Sequence, residues 1–87
     1  MSAAWYLYIL RCADNSLYAG ITTELERRLD EHNHSNRLAA AYTRSRRPVQ
    51  LIYHETYPTR SLAARREAEI KRMPRREKEL LISVEEC

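Results

Sequence analysis

The run from Trp5 to Cys12 is dense in aromatic and aliphatic side chains; Asp14-Asn15-Ser16 follows it, and then a second short run, Leu17 to Thr22. Two strand-like runs parted by turn-forming residues specify a β-hairpin near the start of the chain. Alternation along the first run puts Tyr6, Tyr8 and Leu10 on one face and Trp5, Leu7 and Ile9 on the other. With 87 residues there is room for one core only, so 1–87 reads as a single domain and any functional residue has to lie close to that core.

Beyond the hairpin, Thr23-Glu24-Leu25-Glu26 has the form of a capping box, in which Thr23 and Glu26 would satisfy each other's amides at the start of a helix from about Glu24 to His34. Between Ser35 and Arg47 periodicity fails and arginines recur, which predicts a mobile basic loop closed by Pro48. Val49 to Tyr57 reads as a third strand. Pro58 and Thr59 introduce a helix reaching roughly Met73, Pro74 interrupts it, and a last short helix, Arg75 to Ser83, offers Leu80, Leu81 and Ile82 to the core. The order ββαβαα belongs to the α+β class, with a three-stranded sheet flanked by helices.

Several classes are excluded by the totals. A hydrophobic fraction of 44%, a charged fraction of 31%, one glycine and three prolines do not describe a disordered or fibrous chain. The longest apolar stretch, Ala3 to Leu10, is too short to span a bilayer, so no membrane partner is expected. Met1 to Ala4 carries no basic residue, as a signal peptide would. Cys12 and Cys87 are too few for a disulfide framework and lack metal-ligand spacing, which points to a reducing cytoplasm. Net charge is only +3, but thirteen of the fifteen basic residues are arginine. That preference suits phosphate, which the guanidinium fork matches, or it reflects a GC-rich genome.

In the first helix Leu25, Leu29 and His32 share one face and Arg28 lies at its edge, so Arg28 and His32 either look across at the hairpin or serve as a snorkelling cation and a satisfied core histidine. The second helix has an apolar line of Leu62, Ala63, Ile70 and Met73, flanked by Glu67 and Glu69. Glu67 is a candidate catalytic carboxylate or the acidic half of an ion pair with Lys71 one turn on. Arg66 falls inside the stripe, which calls either for a buried acid or for a different helix start. Six tyrosines with no phenylalanine suggest that some hydroxyls work as hydrogen-bonding or proton-transfer groups, while Tyr42, Tyr53 and Tyr57 are expected at sheet edges.

The succession Tyr6-Leu7-Tyr8, Tyr18-Ala19-Gly20, Arg28, His32 and Glu67 resembles the GIY-YIG nuclease superfamily over nearly the whole chain, most of all its small single-domain UPF0213 (YhbQ-like) branch. Tyr6 and Leu7 stand where the first motif has Gly and Ile. The resemblance implies an endonuclease that hydrolyses phosphodiester bonds in nucleic acid, DNA rather than RNA, in a repair or DNA-processing role. By the same resemblance Glu67 would hold one divalent ion, Mg²⁺ or Mn²⁺, and Arg28 would stabilise the pentacovalent transition state. Tyr8 or Tyr18 would orient or deprotonate the water, His32 would be a second group for proton transfer, and Gly20 would let the scissile backbone approach. Arg37, Arg44, Arg46 and Arg47, with Lys71 and Lys78, would contact phosphates without reading sequence. A monomer is expected, with a dimer as the alternative. A catalytically inactive nucleic-acid-binding module and a protein-interaction domain are the competing functions.

Overall fold

Strand β1 (Trp5–Arg11) is the centre of a three-stranded sheet, paired antiparallel with β2 (Leu17–Thr22) on one side and β3 (Gln50–Tyr57) on the other. The computed structural model describes residues 4–86, with side chains to residue 84, so the readings made on Met1 to Ala3 and on Cys87 lie outside it. The hairpin closes as its turn residues require: Asn15 takes a φ of 69°, and Asp14 Oδ1 accepts the Ser16 amide at 3.1 Å. Tyr8 is in register with Gly20 on β2 and with His54 on β3.

The strict alternation of β1 divides the core in two. Leu7 and Ile9 pack with Ala19, Tyr53, Ile70 and Ile82, under helices α3 (Arg60–Arg72) and α4 (Arg75–Glu86). Tyr8 and Leu10 pack with Cys12, Val49, Tyr18, Leu25 and Leu29, under α1 (Leu25–His34). Both faces of β1 are therefore covered, and α3 also reaches the edge strand β2.

Several boundaries differ from expectation. No capping box forms: Glu24 is the N-cap of α1 without a side-chain bond, and its amide is taken at 3.1 Å by Oγ of the buried Thr22, one residue ahead of Thr23. The 35–47 stretch is not simply a loop. It holds a short helix, α2 (Ala41–Arg44), and is tied down by its own arginines. Thr59 does cap α3, accepting the Leu62 amide at 3.2 Å. Leu62 and Leu80 are not core residues, being 38% and 59% exposed, because Ala63, Ile70, Leu81 and Ile82 fill the space. Helix α4 continues past Ser83 to Glu86.

Polar ties lock the helices to the sheet. Arg66 finds the acid its position demands, with Nε and Nη2 at 2.9 and 3.1 Å from the Glu55 carboxylate, which also accepts the hydroxyls of Tyr53 and Tyr57. Glu79 on α4 takes Arg11 at 2.8 Å and Arg75 at 3.0 Å, and Arg75 reaches the Asn15 carbonyl at 2.6 Å. Among the described residues no helix is long and apolar enough to cross a membrane.

Candidate active site

Tyr8 is the residue on which the site converges. It leaves β1 toward α1, and its phenol lies flat across Gly20 of the neighbouring strand; a Cβ at position 20 would overlap Tyr8 Oη and stand 2.6 Å from Cζ. The absence of a side chain at Gly20 thus admits the Tyr8 ring. Crossing Gly20 carries the hydroxyl toward the border of the sheet, because β2 is an edge strand.

Helix α1 meets that hydroxyl with two side chains spaced one turn apart. His32, fully buried, places Nε2 2.9 Å from Tyr8 Oη. The Arg28 charge acts on the same hydroxyl, drawing its pKa down, and the guanidinium is fixed by Glu31 Oε1 at 2.8 Å and the Leu38 carbonyl at 2.7 Å. His32 thus faces the hairpin and is at the same time a buried histidine with both ring nitrogens partnered, so it meets both sequence alternatives.

Thr43, also fully buried, donates from Oγ to the Ala40 carbonyl at 3.0 Å, and His32 Nδ1 lies 2.8 Å from the same Oγ. The Ala40 carbonyl also accepts the Thr43 and Arg44 amides at 3.1 Å each, so the Thr43 hydroxyl stands between two groups able to accept its hydrogen, Ala40 O and His32 Nδ1. With that hydrogen on Ala40, His32 would carry its own on Nδ1 and Tyr8 would donate to Nε2.

Electrostatics agree with a neutral imidazole. Burial, and then the charges of Arg28 and Arg47, push His32 down to about 4. Burial pushes the Tyr8 phenol up to about 12, against the opposing pull of Arg28, and the charges of Tyr18 and Glu67 add to the rise. Burial works against the Arg28 cation, yet its bonds to Glu31 and Tyr8 outweigh that and hold its pKa above the usual value.

Glu67 approaches from α3. Its carboxylate is felt at Tyr8 across the sheet border, its side chain is 24% exposed, and it pairs with Lys71 at 3.4 Å. Lys71 in turn sits 5.8 Å from the centre of the Tyr18 ring. Tyr18 packs edge-on against His32 with centroids 5.5 Å apart and stacks on Tyr42 at 5.7 Å. Tyr8, Tyr18, Arg28, His32, Lys71 and Glu67 are thereby drawn into one neighbourhood, although the ion pair between Glu67 and Lys71 expected as the alternative reading also forms.

The basic residues of 35–47 divide. Arg47 spends its donors inward, on the carbonyls of His32 at 2.6 Å and Ser35 at 2.7 Å and on Asn36 Oδ1 at 3.0 Å. Arg46 bonds Asp14 at 3.1 Å and the Tyr42 carbonyl at 2.9 Å and lies 4.0 Å over the Tyr42 ring. Tyr42 is thus on α2 and not at a sheet edge. Arg44 reaches the Asn36 carbonyl at 3.0 Å, while Arg37 is exposed. Lys78 stands on α4. A groove of about 520 Å³ runs past Tyr6 and the start of α1, but Glu24 and Glu26 in its wall disfavour an anion there.

Thr43 is the participant that the sequence does not reveal. It falls in the stretch without periodicity, and only the run Ala39-Ala40-Ala41 ahead of it hints at a helix.

Residues 4–79 match the GIY-YIG catalytic domain family, and the chain belongs to it; the family is one of nucleases. Among its relatives, a UPF0213 protein of Desulfotalea psychrophila is 51% identical over 83 residues, 95% of this chain and 74% of that protein, and one of Natronomonas pharaonis is 46% identical over 98% of both. Two solution NMR structures share the fold: a UPF0213 protein of Bacillus halodurans (TM-score 0.60, 41% identity) and a protein of E. faecalis (TM-score 0.63, 46% identity), each matched over 93% of this chain and 84% of the other.

Proposed function

We propose that this chain, acting as one unit, is a metal-dependent endonuclease that hydrolyses phosphodiester bonds in nucleic acid, DNA before RNA, in DNA repair or processing. The observation that carries the proposal is the buried Tyr8 hydroxyl 2.9 Å from His32 Nε2, with the charges of Arg28 and Glu67 both acting on it.

The chemistry follows from those groups. Attack on phosphorus requires a proton to leave water while charge builds on the phosphoryl oxygens. Burial pushes the Tyr8 phenol up to about 12 and the His32 imidazole down to about 4, so proton transfer between them in the resting site runs strongly uphill and a free phenolate is not the working species. A concerted shift avoids it: water gives its proton to Tyr8 as Tyr8 passes its own to His32. A phosphate beside Arg28 cancels part of the positive field that holds His32 down, so the imidazole becomes a better base when substrate arrives. Arg28 then faces the developing charge, and Tyr18, whose hydroxyl bonds no other described residue, is free to orient the water.

Among the described residues no three His, Cys, Asp or Glu side chains gather as a closed metal site. A lone carboxylate instead fits a hard cation that keeps most of its waters. Glu67 would hold that Mg²⁺ or Mn²⁺ ion, which supplies neutralisation of the phosphoryl oxygens when bound. Arg37, Arg44 and Lys71 are suited to contact phosphates, with Lys78 more remote; Arg46 and Arg47 brace the site.

Incubating the purified protein with branched, single-stranded and duplex DNA and RNA in Mg²⁺ or Mn²⁺ tests the proposal. Glu67→Ala is expected to lower cleavage by about 100-fold or more with little change in thermal midpoint, since Glu67 bonds only Lys71. If nothing is cut, or the variant cuts as well as the parent, the nuclease reading fails. The Glu67–Lys71 pair favours the second reading, a non-catalytic binding module, whose signature is salt-dependent binding that survives Glu67→Ala without any cleavage.

A further inference from the structure

Buried hydroxyls need a reason. Thr43 is wholly enclosed, and a valine of the same shape would fill its space. Its polarity is used twice: Oγ–H is held by the Ala40 carbonyl at 3.0 Å, and the remaining lone pair meets His32 Nδ1 at 2.8 Å.

We infer that Thr43 is a positioning residue for catalysis, fixing His32 in the tautomer whose Nε2 can receive the Tyr8 proton. This rests on the nuclease reading of the site. Tyr8 shows why the tautomer matters. Of the two groups at its hydroxyl, Arg28 can only donate, so the O–H has no acceptor except Nε2. Were the imidazole proton on Nε2, that nitrogen would also donate to Tyr8 Oη, the phenol hydrogen would be stranded, and no path would lead from water through Tyr8 to the ring.

The supporting architecture is specific to this end. Helix α2 spans only Ala41–Arg44, and the segment carrying it is held over α1 by Arg28 on the Leu38 carbonyl and by Arg47 on the His32 and Ser35 carbonyls. These bonds fix the distance between the Thr43 hydroxyl and the ring. In the proton transfer itself the hydrogen on Nδ1 stays in place, Nε2 gains the Tyr8 hydrogen, and the imidazolium then has both N–H groups satisfied, by Thr43 Oγ and Tyr8 Oη.

The test reads the tautomer without substrate. Long-range ¹H–¹⁵N correlation spectra of the labelled protein at neutral pH, with His32 assigned by its loss in His32→Gln, should show hydrogen on Nδ1 in the parent and in Thr43→Ser. In Thr43→Val, where Tyr8 alone still favours hydrogen on Nδ1, a share of the Nε2–H form should appear beside the parental one, and on the best substrate kcat should fall about 10- to 100-fold with KM little changed, restored in Thr43→Ser. Hydrogen on Nε2 in the parent, or a Thr43→Val protein with the parental tautomer, would overturn the inference. The parent spectrum alone decides should Thr43→Val fail to fold. A parent with the expected tautomer that cuts no nucleic acid would sink the nuclease reading and leave Thr43's hold on the ring standing; a parent that cuts with the opposite tautomer would sink the Thr43 assignment alone.

Discussion

A single methyl group at position 20 would run into the Tyr8 phenol, so one hydrogen at that α-carbon decides where the central hydroxyl can lie. His32 shows the same dependence on one atom, and its burial has a measurable cost. Its pKa falls from 6.5 to about 4 on folding, chiefly through desolvation. Between those values the unfolded chain binds the extra proton, so stability present in full above pH 6.5 declines as pH falls toward 4, by roughly 3 kcal/mol in all. Urea midpoints across pH 7.5 to 4 should trace that loss, and His32→Gln should flatten this part of the profile; an unchanged slope in the variant would mean that His32 is not the titrating group. Position and spacing made Arg28 and His32 readable from the chain, because three- and four-residue periodicity is local. The hydrogen on Nδ1 was not readable, because it is set by Thr43 across a stretch whose path depends on tertiary contacts.

The hairpin, α1, β3 and α3 were legible because each carries its signal within a few residues. Failure came where the chain had two local choices. Thr22 and Thr23 compete to serve the start of α1, and the end of β2 buries Thr22, which settles the contest. The arginines of 35–47 looked like a solvated cationic loop, yet charge alone cannot say whether a guanidinium faces water or carbonyl oxygens. Arg47 demonstrates the second case, bridging α1 to the segment that carries α2. Arg47→Ala should lower stability by on the order of 2 kcal/mol, and Arg47→Lys should recover little, because an ammonium cannot serve three acceptors in the fork's plane. Hydrogen exchange should locate the loosening in 35–47 and leave β1 protected; uniform loss of protection would mean that the brace is global.

Taken whole, the sheet separates two tasks. The α1 face and the β2 border, with Glu67 and Lys71 of α3, carry the proposed site, while the rest of the α3 and α4 face carries the Glu55 and Arg66 network and the Glu79 ties. Arg66 within the apolar stripe of α3 signalled that network in the sequence, but its acid lay on a strand whose register had yet to be known. Glu55→Ala strands Arg66 and two phenols together, so it should cost on the order of 3 kcal/mol by denaturant unfolding. Cleavage measured well below the new melting temperature should be unaffected; a matching drop in kcat would show that the two faces are coupled. The brace over the site adds a practical corollary. Arg47 holds only neutral oxygens, and Arg28 and Arg46 each add a carbonyl to their ion pairs with Glu31 and Asp14, so much of the brace carries no net charge for ions to screen. Concentrated electrolyte should therefore strip a polyanion from the surface while leaving the scaffold intact, so that release at high ionic strength reports on phosphate contacts and not on a collapsing pocket.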